Sequence, residues 1–138
     1  MIVAKRYHDI SCGHRVYGHE GKCRHFHGHN YRVHFHVTGN MDSVGRVLDF
    51  GVIKSKLCIW LEENWDHKML LWKNDPLLAE LQALDPDGVV ALSFNPTAEN
   101  MAQWLLNVAG PSLLANTNCL LTKVEIEETR KCSVGVEL

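Results

Sequence analysis

Residues 27–38 read His-Gly-His-Asn-Tyr-Arg-Val-His-Phe-His-Val-Thr, and they carry the clearest structural pattern in the chain. Side chains on a β-strand point alternately to its two faces, so odd-numbered residues share one face and even-numbered residues the other. From Tyr31 onward the odd face is apolar, while the even face, which includes His34 and His36, is polar. The alternation predicts a strand with one buried face and one solvated face.

The remaining pattern places strands at both ends of the chain and helices between them. The predicted strands are residues 2–14, 27–38, 89–92, 119–128 and 132–138. The predicted helices are residues 52–61, 74–83 and 95–109. Gly110-Pro111 is expected to end the last helix. This order favours an α+β fold, with an antiparallel four-stranded sheet and helices packed on one face, over a parallel doubly wound sheet.

Length and composition narrow the class of protein. The 138 residues fit one domain, residues 1–138, and a 46% apolar content suffices for a core without disulfides. A net charge of −2 gives no basis for a nucleic-acid or anionic-membrane partner. No signal peptide is evident, and no apolar run approaches the roughly 18 residues of a membrane span. Five cysteines without a CxxC pair indicate free thiols, so we expect a cytoplasmic protein.

Histidine is the residue type that stands out. All but one of the nine histidines lie within residues 8–36, and this clustering indicates a metal site. His27 and His29 point to the same, buried side of their strand, where they supply two of the three ligands of a catalytic zinc ion. We predict His14, at the end of the neighbouring strand, as the third ligand. The rival third ligands are His8, His19 and His25.

Cys23 lies shortly before the histidine pair, between Lys22 and Arg24. Positive neighbours favour the thiolate form, and a thiolate beside a metal-bound substrate could act as a general base. The alternative is an inert free thiol. Cys12 has the same strand parity as His14 and competes for the role, although we interpret it as core filler.

The dipeptide Asp66-His67 follows the first predicted helix. An aspartate can hold a neighbouring histidine in one tautomer, and the histidine can then work as an acid or a base. Adjacent side chains often diverge, however, so a solvated surface pair is the alternative interpretation.

Glu128 ends a predicted strand at a position with the parity of the core residues Val124 and Ile126. A carboxylate there costs free energy unless it is paired. The two N–H donors on the amino-pyrimidine edge of a planar heterocycle match its geometry. The alternatives are a side chain that curls into solvent or a salt bridge to Arg130. The neighbouring Glu127 is interpreted as solvated.

These features together resemble the 6-pyruvoyl-tetrahydropterin synthase superfamily, also called the tunnelling fold (T-fold), from about Tyr7 to Val136. The most specific segment is Cys23-x-x-x-His27-Gly28-His29-Asn30-Tyr31. Supporting segments are residues 11–15, 47–54, 66–68, 96–100 and 128–129. One departure is Ile10-Ser11-Cys12-Gly13-His14, where the family usually has a Phe-Ser-Ala-Ala-His type of pattern, so a second thiol lies near the metal.

The resemblance implies a zinc-dependent lyase that acts on a pterin triphosphate. It implies His14, His27 and His29 as zinc ligands. It implies Cys23, Asp66 and His67 as catalytic residues, and Glu128 as the pterin anchor. Chains of the family form trimers whose strands close into a barrel, and two trimers stack into a hexamer. The active sites lie at subunit interfaces, so a distant Asp-His pair can serve a thiol on a neighbouring chain.

The family's common substrate is 7,8-dihydroneopterin triphosphate, and basic residues such as Lys22, Arg24 or Lys68 would meet its triphosphate. The three-residue gap between Cys23 and His27 resembles the 6-carboxytetrahydropterin synthases. These enzymes cleave the side chain, release acetaldehyde and triphosphate, and feed queuosine and other deazaguanine pathways. We therefore expect that activity. The alternatives are 6-pyruvoyl-tetrahydropterin synthase, which keeps the side chain, and a non-catalytic zinc- or pterin-binding protein on the same fold.

Overall fold

A computed structural model describes all residues, 1–138, and contains one six-stranded sheet. The strands are β1 (Val3–His14), β2 (His27–Thr38), β3 (Met69–Trp72), β4 (Val89–Leu92), β5 (Leu120–Glu127) and β6 (Ser133–Glu137). Their order across the sheet is β4-β3-β1-β2-β5-β6. The pairs β1–β2, β2–β5 and β5–β6 are antiparallel, and the short strands β3 and β4 run parallel to β1.

The helices pack against one face of this sheet. They are α1 (Phe50–Ile53), α2 (Ile59–Asn64), α3 (Leu78–Leu84), α4 (Ala98–Trp104) and α5 (Gly110–Leu113). A π-helical turn, Lys54–Cys58, joins α1 and α2 into one continuous helix, and a second, Leu105–Ala109, joins α4 and α5. No helix combines the length and the apolar character that crossing a bilayer requires.

The core lies between the helices and the face of the sheet that the alternation marks as buried. Tyr31, Val33, Phe35 and Val37 of β2 are at most 1% exposed. Burying a large apolar side chain contributes about 1.5–3 kcal/mol, so this face holds the helices in place. The β1–β2 register sets His14 opposite His27 at the edge of the same face.

The α+β class and the antiparallel arrangement of the long strands are confirmed, and the sheet is wider than predicted. β3 was not predicted because its four residues, Met-Leu-Leu-Trp, show no alternation. Leu70 and Leu71 are both fully buried, so neither face of this strand is solvated. Such short two-sided strands lack the period-2 signal of a half-buried strand.

The prediction that the last helix ends at Gly110-Pro111 is wrong, since the helix continues through Leu113. In the preceding π-helical turn the N–H of Gly110 bonds back to the carbonyl of Leu105. Pro111 then lies at the start of a new turn, where a missing N–H does least harm. The glycine has a packing role: a Cβ at this position would lie 2.4 Å from Cδ2 of Leu121 on β5.

Candidate active site

The structure brings the three predicted zinc ligands together where β1 ends and β2 begins. One ligand atom from each of His14, His27 and His29 lies within 4.8 Å of the other two. His14 is buried, at 1% exposure, and the other two are half-buried. We call these three residues the histidine cluster. The rivals His8, His19 and His25 lie outside it.

Backbone carbonyls orient two rings of the histidine cluster. Nδ1 of His14 donates to the carbonyl of Pro96 at 2.7 Å, and Nδ1 of His27 donates to the carbonyl of His25 at 2.7 Å. A carbonyl can only accept, so each Nδ1 carries a proton and a neutral ring presents the lone pair of Nε2. These two Nε2 atoms are 3.0 Å apart. Two lone pairs at that distance repel one another unless a cation lies between them.

His29 supplies a third nitrogen that lacks a partner. Its Nε2 is buried and makes no hydrogen bond, and Oε1 of Glu128 lies 3.4 Å away. An unsatisfied buried polar group costs about 1–3 kcal/mol. Burial lowers the pKa of His14 to about 4 and also lowers the pKa of His29, so both rings are neutral at pH 7. Three imidazoles with an open fourth position are a donor set of catalytic zinc, so the residues fit that ion.

Tyr31 belongs to this site, although the sequence pattern identified it only as a core residue. Its hydroxyl lies 3.3 Å from both ring nitrogens of His14, and its ring stands edge-on to those of His14 and His29. Burial raises the pKa of Tyr31, and the negative charge of Glu128 raises it further. The missed signal is that a tyrosine on a fully buried face needs a partner for its hydroxyl.

The two candidate thiols lie in different surroundings. Cys23 is half-buried in a single 3₁₀ turn, Lys22–Arg24, and its carbonyl accepts the N–H of Val16 at 2.8 Å. Cys12 is 5% exposed, and burial raises the pKa of its thiol to about 12. At neutral pH Cys12 therefore stays protonated, as expected for core filler.

Asp66 and His67 form a pair held against β1. Nδ1 of His67 lies 2.9 Å from Oδ2 of Asp66, and Oδ1 of Asp66 accepts the N–H of Ser11 at 2.8 Å. Burial acts to raise the pKa of Asp66, but the hydrogen bonds from Ser11 and His67 together lower it. His67 has a φ of 60°, a left-handed conformation that lets the adjacent side chains meet. The two side chains therefore do not diverge.

This pair lies beside a pocket at the ends of β1 and β2. The side chain of His67 is 81% exposed and lines a pocket of about 500 Å³ together with Ser11 and Asn30. The same pocket reaches His29 of the histidine cluster, although no hydrogen bond joins His67 to any of the three cluster rings. No hydrogen bond or ion pair joins His67 to Cys23 within the chain.

Glu128 lies on the core side of the turn between β5 and β6. Its N–H donates to the carbonyl of Cys132 at 3.0 Å, and its side chain is 25% exposed and turned toward His29. The alternative salt bridge to Arg130 is not formed. Glu127 lies on the opposite face and forms an ion pair with His34. Glu127 and His34 were both predicted to contact only solvent, and this pair corrects that prediction. The parity assignment of Glu128 therefore agrees with the geometry.

A buried ion pair that the sequence did not reveal supports the segment between His14 and Cys23. Arg15 donates two hydrogen bonds, both at 2.6 Å, to the carboxylate of Asp75, which is 4% exposed. The same guanidinium lies over the rings of Tyr17 and Phe26, at 5.5 and 5.4 Å. Nothing in the local pattern distinguishes Asp75 from an ordinary residue before a helix, because its partner is 60 positions away.

Comparisons with known proteins agree over nearly the whole chain. A family profile described as 6-pyruvoyl tetrahydropterin synthase matches residues 3–137. A curated relative from Rickettsia typhi, named 6-carboxy-5,6,7,8-tetrahydropterin synthase, is 35% identical over 138 residues, which is 99% of this chain and 100% of the relative. A relative of the same name from Synechocystis is 30% identical over 109 residues, 75% of this chain and 70% of the relative.

Solved structures show the same fold. A 6-pyruvoyl tetrahydropterin synthase from Caenorhabditis elegans has a TM-score of 0.73 and 25% identity, covering 99% of this chain and 95% of that one. An uncharacterized protein from Wolinella succinogenes has a TM-score of 0.85 and 24% identity, covering 99% and 97%. The second likeness concerns the fold alone.

Proposed function

Because the chain belongs to the 6-pyruvoyl tetrahydropterin synthase family, we propose that it is a zinc-dependent 6-carboxy-5,6,7,8-tetrahydropterin synthase. The reaction would convert 7,8-dihydroneopterin triphosphate and water to 6-carboxytetrahydropterin, acetaldehyde and triphosphate. The observation that carries the proposal is the histidine cluster, with ligand atoms within 4.8 Å of one another. The names of the curated relatives favour the carboxy product over the pyruvoyl product, and the product would serve queuosine-type deazaguanine synthesis.

The histidine cluster would hold the zinc ion, which when bound acts as a Lewis acid toward substrate oxygens. The rings need little rearrangement, because Pro96 and His25 already fix two of them through Nδ1. Carbonyl partners of this kind orient ligands and raise their basicity. The sequence alone had left open which histidine completes the set, and the cluster favours His14.

The carboxylate of Glu128 would accept two N–H donors from the amino-pyrimidine edge of the pterin. Cys23, as a thiolate, would remove a proton from a side-chain carbon of the substrate. Asp66 would hold His67 through Nδ1, which leaves Nε2 free to accept and return protons. These roles divide substrate binding and proton transfer between different elements of the fold.

His67 would serve the site of a neighbouring copy, since within one chain no hydrogen bond or ion pair joins it to Cys23 or to the histidine cluster. The outer strands β4 and β6 leave backbone groups available for pairing between copies. We propose that the chain forms a homotrimer whose sheets close into a barrel, or a hexamer of two such trimers, with active sites between copies. All five cysteines are free, which suits a reducing compartment, and we propose the cytoplasm.

Product analysis of the zinc-loaded protein tests the activity. After incubation with 7,8-dihydroneopterin triphosphate, mass spectrometry should detect 6-carboxytetrahydropterin, and a coupled assay should detect acetaldehyde. A 6-pyruvoyl product would instead support the pyruvoyl synthase. Bound zinc without turnover would support the non-catalytic alternative.

Paired cysteine variants test the thiol. Loss of a general base costs roughly 10²–10⁴-fold in rate, so Cys23→Ala should lose at least about 100-fold in kcat while it retains zinc. The matched control is Cys12→Ala, which removes a buried thiol outside the proposed chemistry and should keep most activity. Full activity in Cys23→Ala would contradict the assignment, and metal analysis of both variants separates a chemical defect from zinc loss.

A further inference from the structure

A second concave site opens beside the histidine cluster. It is a cleft of about 350 Å³, here called the Arg24 cleft, and its lining residues are Arg15, Tyr17, Gly18, His19, Arg24 and His25. The cleft is continuous with the cluster through the backbone. Arg15 directly follows the ligand His14, and the carbonyl of His25 accepts the hydrogen bond from Nδ1 of His27.

The lining of the Arg24 cleft offers positive charge and hydrogen-bond donors and contains no carboxylate. Arg24 is exposed and donates one hydrogen bond, from Nη1 to the carbonyl of Gly21 at 2.8 Å. Its remaining N–H donors are free. Arg15 is already paired with Asp75, so Arg24 is the cation in this lining without a carboxylate partner.

Two neutral donors add to the cation. Nδ1 of His19 accepts the N–H of Gly21 at 2.7 Å, so the Nε2 atom of its ring carries the proton and can donate. The N–H of Gly18 makes no hydrogen bond within the chain. Gly18 has a φ of +87°, and open space surrounds the position of a Cβ, so its backbone is accessible to a ligand.

The two sides of the histidine cluster therefore offer opposite charges to a ligand. Glu128 lies on the His29 side of the cluster, at 3.4 Å from Nε2, and suits a ring that donates N–H groups. The Arg24 cleft lies on the His27 side and suits an anion. We infer that the Arg24 cleft binds the triphosphate of the substrate through Arg24, His19 and the N–H of Gly18. This inference rests on the proposed function for the identity of the anion.

Lys68 is the rival basic residue, and its surroundings are less suited to a polyanion. Its Nζ donates to the carbonyl of Asp87 at 2.6 Å. It lines the pocket that also contains His67 and His29, where the carboxylate residue Asp85 contributes as well. A triphosphate there would meet the negative charge of Asp85.

Calorimetric titration of the zinc-loaded protein with inorganic triphosphate tests the inference without turnover. A charge-assisted hydrogen bond is worth more than the 1.4 kcal/mol that changes a dissociation constant tenfold, so Arg24→Gln should raise Kd by about tenfold. Arg24→Lys keeps the charge and should give an intermediate Kd. Zinc content is measured before and after each titration, because triphosphate also chelates zinc.

The matched control is Lys54→Gln, which removes the same charge. Lys54 is exposed and lies one helical turn after Phe50. The carbonyl of Phe50 accepts a hydrogen bond from Arg6, which lies near the start of β1, whereas the histidine cluster lies at the end of that strand. We expect its Kd to stay within about twofold of wild type. An unchanged Kd in Arg24→Gln, or an equal loss in the control, would overturn the inference. His19→Gln provides a further variant, with an expected loss of about threefold, if Arg24→Gln does not fold.

Kinetics distinguish this inference from the proposed function. Where the substrate is turned over, Arg24→Gln should raise KM by about tenfold and leave kcat within about twofold, because the triphosphate is held alike in the ground and transition states. Binding of inorganic triphosphate through Arg24 without turnover of the pterin would refute the function and leave the anion site standing. Turnover of the pterin together with triphosphate binding that does not depend on Arg24 would refute the anion site and leave the proposed function standing.

Discussion

Replacing Asp75 by asparagine should destabilise the protein through Arg15. The carboxylate of Asp75 accepts both guanidinium hydrogen bonds and the N–H of Leu77 at 2.9 Å. Asparagine preserves the shape but removes the charge, and one of its two positions becomes an N–H₂ group that faces the guanidinium. The variant therefore leaves a mostly buried cation without its counter-charge.

The structure sets the size of the effect. Removing one partner of a fully buried pair costs about 3–5 kcal/mol. The side chain of Asp75 is 0% exposed and that of Arg15 is 14% exposed, so water reaches the cation in part. We therefore expect a loss of about 3 kcal/mol, the lower end of that range. Since Arg15 also packs over Tyr17 and Phe26, the segment that carries Cys23 should loosen as well.

Urea unfolding at a fixed protein concentration measures this loss. With a slope of about 2 kcal/mol per molar, the midpoint should fall by about 1.5 M. Asp87→Asn is the matched control, because Asp87 is exposed and its carboxylate makes no hydrogen bond, and it should stay within about 0.5 kcal/mol of wild type. A midpoint for Asp75→Asn equal to that of the control would refute the reasoning.

The pH dependence gives an independent check. Burial acts to raise the pKa of Asp75, but the hydrogen bonds from Arg15 and the Leu77 N–H lower it by more. A lowered folded-state pKa gives stability that is fully present above the unfolded value of about 3.9 and is lost as pH falls through the folded value. The difference in unfolding free energy between wild type and Asp75→Asn should therefore become smaller below about pH 4.

Further substitutions test other contacts. Tyr31→Phe removes the hydroxyl beside His14, and the variant should fold normally. It should lose zinc to a chelator a few-fold more readily than wild type, and the absorption bands of its cobalt-substituted form should shift. Unchanged zinc retention and spectra would exclude a role for the hydroxyl. Gly110→Ala forces a Cβ to within 2.4 Å of Leu121 and should cost about 1–3 kcal/mol in thermal unfolding. Gly135→Ala meets only the flexible end of a lysine and should cost less than half as much, so equal losses would contradict the packing argument.

The sequence predicted those parts of the site that depend on local geometry. Alternation along one strand placed His27 and His29 on the buried face, and the same parity placed Glu128 on the core side of its turn. These predictions need only the two-residue period of a strand. The partner from the neighbouring strand, His14, required the β1–β2 register and could only be proposed until that pairing was known.

Features that depend on distant partners or unusual backbone could not be read from the sequence. The pairing of Asp66 with His67 follows from a left-handed φ and from hydrogen bonds to Ser11, 55 positions away. The Arg15–Asp75 pair likewise depends on tertiary packing. The continuation of the helix past Gly110 depends on a π-helical turn, which has no period of its own in the sequence.

The sheet ends on two unlike edges, which limits how copies of the chain can assemble. The strand at one edge, β4, runs parallel to its neighbour, whereas β6 at the other edge runs antiparallel. A contact that joins β6 of one copy to β4 of the next is heterologous, so repetition of it closes a ring or extends a filament. The twist of the sheet then fixes the number of members, and trimming either edge strand would remove this contact from every copy.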